Sequence, residues 1–116
     1  LHTLDKVKAD IASQAFAFAS GVIRKLRSGV GDWTEKECRV RIRQLVSELD
    51  ATDFAWVETF QQDAARRTVN CDVYGKKDDL GVWYIKFAIV NTTLLFSCHL
   101  AENDMELKNG KILRVR

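Results

Sequence analysis

Residues 82–99 read VWYIKFAIVNTTLLFSCH, two apolar runs on either side of a polar turn, with Lys86 inside the first and His99 at the end of the second. Side chains alternate between the two faces of a strand. At that period Trp83, Ile85, Phe87 and Ile89 form one wholly apolar face, and Val82, Tyr84, Lys86, Ala88 and Val90 form the other. A face so apolar must be covered, so helices are expected on that side. The second run divides into Leu94, Phe96 and Cys98 against Leu95, Ser97 and His99. Upstream, NCDVYG sets Cys71 and Val73 against Asn70, Asp72 and Tyr74. Tyr84, Lys86, Ser97 and His99 are therefore expected to share an uncovered face. Whether Cys71 joins them depends on strand register, which alternation alone leaves open.

Outward from this stretch, β-branched and aromatic residues dominate from Phe54 on: Trp56 to Phe60, Thr68 to Tyr74, Val82 to Val90 and Thr93 to His99. Short polar or glycine-bearing connections make an antiparallel meander the economical topology. An Asn109-Gly110 turn precedes ILRVR, whose alternation permits one more edge strand. The N-terminal half has a different period. Leu4, Val7, Lys8 and Ile11 predict a helix from Leu4 to about Gln14. Ser20 is placed to cap a second helix through about Arg27, ending at Ser28-Gly29. Thr34 and Glu37 form a capping box before a third, whose apolar stripe is Cys38, Ile42, Leu45, Val46 and Leu49. The expected architecture is α+β, with two or three N-terminal helices packed on one face of a small antiparallel sheet.

The length of 116 residues suits a single domain over 1–116, and 47% hydrophobic residues suffice for one core. Apolar runs around Phe87 to Val90 are far shorter than the ~20 residues of a membrane span. The opening LHTLDKVKAD has no basic-then-apolar leader and no initiator Met, so a cytoplasmic protein trimmed by a few residues is expected. Cys38, Cys71 and Cys98 lack CxxC spacing, and His2 and His99 supply no zinc pattern, so the thiols are expected reduced and buried, with no metal or cofactor. A net charge of +2 does not by itself point to nucleic acid. Its distribution says more. Arg24, Lys25 and Arg27, then Lys36, Arg39, Arg41 and Arg43, then Arg66 and Arg67 are clustered, whereas acids gather in turns and at 102–106. On the third helix Lys36, Arg39 and Arg43 are expected to form an ordinary solvated face.

Taken singly, Tyr84, Lys86, Ser97 and His99 are ordinary on an exposed sheet. Together, an ammonium that binds phosphate, a phenol and an imidazole that exchanges a proton near neutral pH are the parts for metal-free RNA cleavage.

The order LHTLDKVKADIA, FAFASGVIRKL, VSELDATDF, NCDVYG, GVWYIKFAIV and LLFSCHLAE resembles the MqsR family of toxin mRNA interferases across nearly the whole chain. Those proteins show H-x-x-L-x-x-V-K at the start, L-(S/T)-x-x-D-(F/Y) at a helix end, then D-V-Y, Y-(I/L)-K and S-F-(H/K) strands. The resemblance implies a RelE-like ribonuclease fold, endoribonuclease activity on mRNA without ribosome or metal, and a cognate antitoxin protein as partner. It carries the family's active-site tyrosine to Tyr84, the strand lysine to Lys86 and the closing basic residue to His99. Three positions depart from the pattern: Trp56 stands for a lysine, Cys71 for a glutamine and Cys98 for a phenylalanine. Arg66 or Arg67 would then have to supply the missing charge.

The expected reaction is attack of a ribose 2′-OH on the adjacent phosphate. His99 moves a proton, Tyr84 orients or protonates, Lys86 holds phosphate, and Arg66, Arg67, Trp56 and Ser97 contact single-stranded RNA. Two alternatives stand beside it: a non-catalytic RNA- or protein-binding module on the same fold, and a nuclease domain of a larger toxin. The antitoxin is expected on the ILRVR edge or on the basic face.

Overall fold

The computed structural model describes residues 4–13, 16–19, 21–61, 68–90 and 92–115. In chain order these form α1 (Leu4–Ala12), β1 (Phe16–Phe18), α2 (Val22–Val30), α3 (Glu35–Glu48), a 3-10 turn (Ala51–Asp53), β2 (Phe54–Gln61), β3 (Thr68–Asp78), β4 (Gly81–Val90), β5 (Thr92–Leu100), β6 (Met105–Glu106) and β7 (Ile112–Leu113). The fold is α+β. Its main sheet has the order β1-β5-β4-β3-β2. β2 to β5 make the expected antiparallel meander, and FAF adds a short parallel edge strand, β1, alongside β5.

The face of β4 that alternation sets apart as apolar lies under the helices. Trp83, Ile85 and Phe87 are wholly buried there against Val7, Leu26, Ile42 and Val46, and Ile89 packs at the margin. α3 starts at the capping box: Glu37 N–H donates to Thr34 Oγ1 and Thr34 N–H donates to the Glu37 carboxylate. α1 is tied to β5 through buried Asp10, whose carboxylate accepts from the Thr93 amide (3.0 Å) and hydroxyl (2.7 Å) and pairs with Lys6. Lys6 first, then Thr93, hold this carboxyl below its ordinary range despite its burial. All three cysteines are free and buried. Among the described residues no helix is long and apolar enough to cross a membrane.

Both ends of α2 differ from expectation. Ser20 lies outside the described residues; the residue at the N-terminus of α2 is Gly21, in the left-handed region with φ 84°. The helix also runs through Ser28-Gly29 to Val30 and stops at Gly31, φ 89°. A glycine inside a helix costs only about 1 kcal/mol relative to alanine, too little to end one that buries Val22 and Leu26.

ILRVR does not extend the main sheet. β7 pairs with β6 in a separate hairpin, and Met105, Leu107 and Leu113 lie over Ala55, Val73 and Val82 on the face opposite the helices. That face, expected to be uncovered, is thus covered in part. Gly75 on β3 permits the close approach: a Cβ there would sit 3.0 Å from Leu113, 3.1 Å from Met105 and 3.2 Å from Leu107. Valine at 75 gains at most about 1 kcal/mol of strand preference, but crowds three packed side chains at once, a cost of about 1–3 kcal/mol. Gly75→Val is therefore expected to lower the urea midpoint of unfolding; an unchanged or raised midpoint would show the hairpin to be loosely seated.

Candidate functional site

On β4, burying Trp83, Ile85 and Phe87 under the helices forces Tyr84 and Lys86 to the other face. Register then selects their neighbours. Tyr84 stands opposite His99, and Lys86 opposite Ser97 on one side and Val73 on the other. Val73 is in turn opposite Trp56, and Cys71 opposite Glu58. Tyr84, Lys86, Ser97, His99 and Trp56 are thereby brought onto one face, as expected for the first four.

Two β-bulges make this possible. On β5 the pairing steps from Lys86–Ser97 to Phe87–Leu95, leaving Phe96 as the extra residue. Thr93, Leu95 and Cys98 can therefore all be buried while His99 remains with Tyr84. The expected grouping of Leu95 with Ser97 and His99 is corrected accordingly: Leu95 belongs to the helix-side core. On β2 the pairing steps from Phe54–Tyr74 to Trp56–Val73, with Ala55 extra. Phe54 packs edge-on against Tyr74 below the helices, while Trp56 and Glu58 turn to the site. Bulges re-aim side chains by this change of alternation.

Glu58, which strand alternation alone did not single out, ties the cluster together. Its Oε2 accepts from the Tyr84 hydroxyl at 2.9 Å and lies 3.1 Å from Lys86 Nζ. Burial pushes this carboxyl up, but the bonds from Tyr84 and Lys86 outweigh it and hold the carboxyl below its ordinary value. For Tyr84, burial and then the Glu58 carboxylate both push the phenol well above its ordinary range, so it stays protonated and donates. The WVETF alternation does put Glu58 on the face of Trp56, but only the register shows that this is also the face of Tyr84.

His99 is half-buried and stacks on Tyr84, with ring centroids 5.2 Å apart and planes at 20°. Its Nδ1 lies 3.1 Å from the Leu100 carbonyl oxygen. A carbonyl only accepts, so Nδ1 carries a hydrogen and Nε2 is left to exchange a proton. Trp56, partly exposed, lies 6.2 Å from the Tyr84 ring. Cys71 is wholly buried on this side of the sheet; burial pushes its thiol up, which makes it a neutral floor rather than a nucleophile. Beside the cluster a groove of about 430 Å³ runs between Trp56, Tyr84 and His99 and the 101–105 segment, with Lys25 of α2 at its margin.

Arg66 and Arg67 lie outside the described residues. The arginines of α3 face other work. Arg39 bonds Glu35 and covers the Phe18 ring, Arg41 bonds Asp78 and lies over Trp33, and Arg43 lies over Phe16. A second groove of about 330 Å³ on the outer side of α3, lined by Trp33, Lys36, Val40, Arg41 and Gln44, also includes Glu37, whose carboxylate is engaged in the capping box. Among the described residues no three His, Cys, Asp or Glu side chains converge in a way that could hold a metal ion.

Fold and site thus define an α+β domain with an acid–base cluster on the open part of its sheet. The chain matches no family model, and no curated protein matches it.

Proposed function

We propose that the chain is an endoribonuclease that cuts single-stranded RNA by attack of a 2′-OH on the neighbouring phosphate, acting in the cytoplasm as an MqsR-like, RelE-like toxin restrained by an antitoxin protein. The observation that carries the reading is the convergence of an ammonium, a phenol, an imidazole and a carboxylate on one partly exposed patch beside a groove. The reaction needs proton transfer and compensation of the charge that builds on the phosphorane. Lys86 is the donor suited to a phosphate oxygen, Tyr84 orients the Glu58 carboxylate to which its hydroxyl donates, and His99 Nε2 is suited to proton exchange. Trp56 beside them offers a stacking surface for an unpaired base.

The test is to incubate the protein with a long transcript in EDTA and map the new ends. Cleavage leaving 5′-OH and 2′,3′-cyclic phosphate ends is expected. Lys86→Met, which removes a phosphate donor yet retains the apolar stem, is expected to slow cleavage about 10²-fold. A second reading has its own support: Glu58 already neutralises Lys86, which also suits a module that binds RNA or protein without cutting. An intact transcript retained by the protein would favour that reading and sink the first.

A further inference from the structure

We infer that Glu58 is the general base of this reaction and that His99 is its general acid, an inference that rests on the ribonuclease reading above. Transesterification must remove a proton from O2′ and deliver one to O5′. Two of the four polar groups are unsuited to removing it. A lysine ammonium has donors only, and the Tyr84 phenol, half-buried and donating to the Glu58 carboxylate, holds its proton. Glu58 and His99 remain. Glu58 accepts from Tyr84 and pairs with Lys86, which together hold its carboxyl below the ordinary carboxylate range despite its burial, and its side chain is 41% exposed, open to substrate.

The placement of the two groups fits their division of labour. In-line displacement puts the entering and leaving oxygens on opposite sides of phosphorus, so base and acid must approach from different directions. Glu58 projects from β2 and His99 from β5, with β3 and β4 between them. Both touch Tyr84, one at the hydroxyl and the other on the ring face. Lys86, on β4 between the two, is aimed at Glu58 and can serve a phosphate oxygen there. The Glu58 carboxylate takes the proton of the 2′-OH as O2′ bonds to phosphorus. The P–O5′ bond breaks, and the imidazolium gives its Nε2 proton to O5′. The products are a 2′,3′-cyclic phosphate and a 5′-OH; proton exchange with water restores both side chains.

The experiment compares RNA with a nucleoside 3′-(4-nitrophenyl phosphate), whose leaving group needs no proton. Glu58→Gln preserves shape and an acceptor for Tyr84. It is expected to slow both substrates by about 10²–10⁴-fold, with partial recovery in Glu58→Asp. His99→Ala is expected to slow RNA cleavage but hardly the aryl ester. The groups facing Glu58 are Tyr84 and Lys86 from β4 and Cys71 from β3, with His99 beyond the Tyr84 ring. Because the ionised carboxylate is the active form, the parent rate falls as pH drops through a value below the ordinary 4.5, and Glu58→Gln loses that acidic limb. A Glu58→Gln protein that melts like the parent and cleaves the aryl ester as fast overturns the assignment while the ribonuclease reading survives. A parent protein that cuts neither substrate overturns both.

Discussion

On the proposed ribonuclease reading, His99→Ala is expected to lower the rate of RNA cleavage by about 10²–10⁴-fold while leaving the domain folded. The two effects separate because the imidazole is only half-buried at the edge of the site. Among the described residues it is tied by a stacked contact with Tyr84 and a hydrogen bond to the Leu100 carbonyl. Such a ring pair contributes about 0.5–1.5 kcal/mol and such a bond about 1 kcal/mol, so the melting temperature should fall by about 5–15 °C, well short of unfolding the domain at assay temperature. The chemical loss is larger, since a 5′-oxyanion leaves poorly without a proton. Steady-state cleavage of a fluorescent oligonucleotide, paired with a circular dichroism melt, checks both. A variant that folds like the parent and cleaves at the parental rate removes His99 from the mechanism.

The parts of this molecule that follow from local alternation were legible in the sequence. Trp83, Ile85 and Phe87 face the helices, and Tyr84, Lys86, Ser97 and His99 face away, because β4 is a regular strand in mid-sheet and the last three residues before Leu100 obey the same period. The start of α3 was equally plain, since Thr34 and Glu37 satisfy each other's backbone over three residues. The features that stayed hidden depend on contacts distant in sequence. A bulge at Phe96 reverses the facing of Leu95 without any glycine or proline to mark it, and the bulge at Ala55 does the same for Phe54 and Trp56. The parallel pairing of β1 joins Phe16 to Thr93, too far apart for any local pattern to reveal. The folding of the C-terminal hairpin over Gly75 is likewise a long-range packing choice. Glu58 escaped notice for the same reason: a lone glutamate on an edge strand is unremarkable until register puts its oxygen within reach of Tyr84 and Lys86.

Trp83 is where the largest loss of stability is expected. Its side chain is wholly buried, and its indole Nε1–H donates to Asp78 Oδ2 at 2.8 Å. The same oxygen accepts from Arg41 of α3 at 3.0 Å, while Asp78 Oδ1 accepts from the Leu80 amide in the β3–β4 turn. One indole therefore fills the space between sheet and helices and also belongs to the network that ties α3 to the hairpin. Truncation to alanine opens a cavity too large to collapse, which costs about 3–5 kcal/mol out of a total of about 5–15 kcal/mol for a domain. Trp83→Phe retains most of the volume and loses chiefly the hydrogen bond, at about 1–2 kcal/mol. Urea unfolding followed by circular dichroism should therefore rank parent, Trp83→Phe and Trp83→Ala in that order. If Trp83→Ala unfolds within 1 kcal/mol of the parent, the sheet does not depend on this residue for its seat under the helices. The consequence for the site follows from chain continuity: Tyr84 is the next residue on β4, so a strand that loses its inward anchor also loses the fixed register that sets Tyr84 against His99 and Glu58.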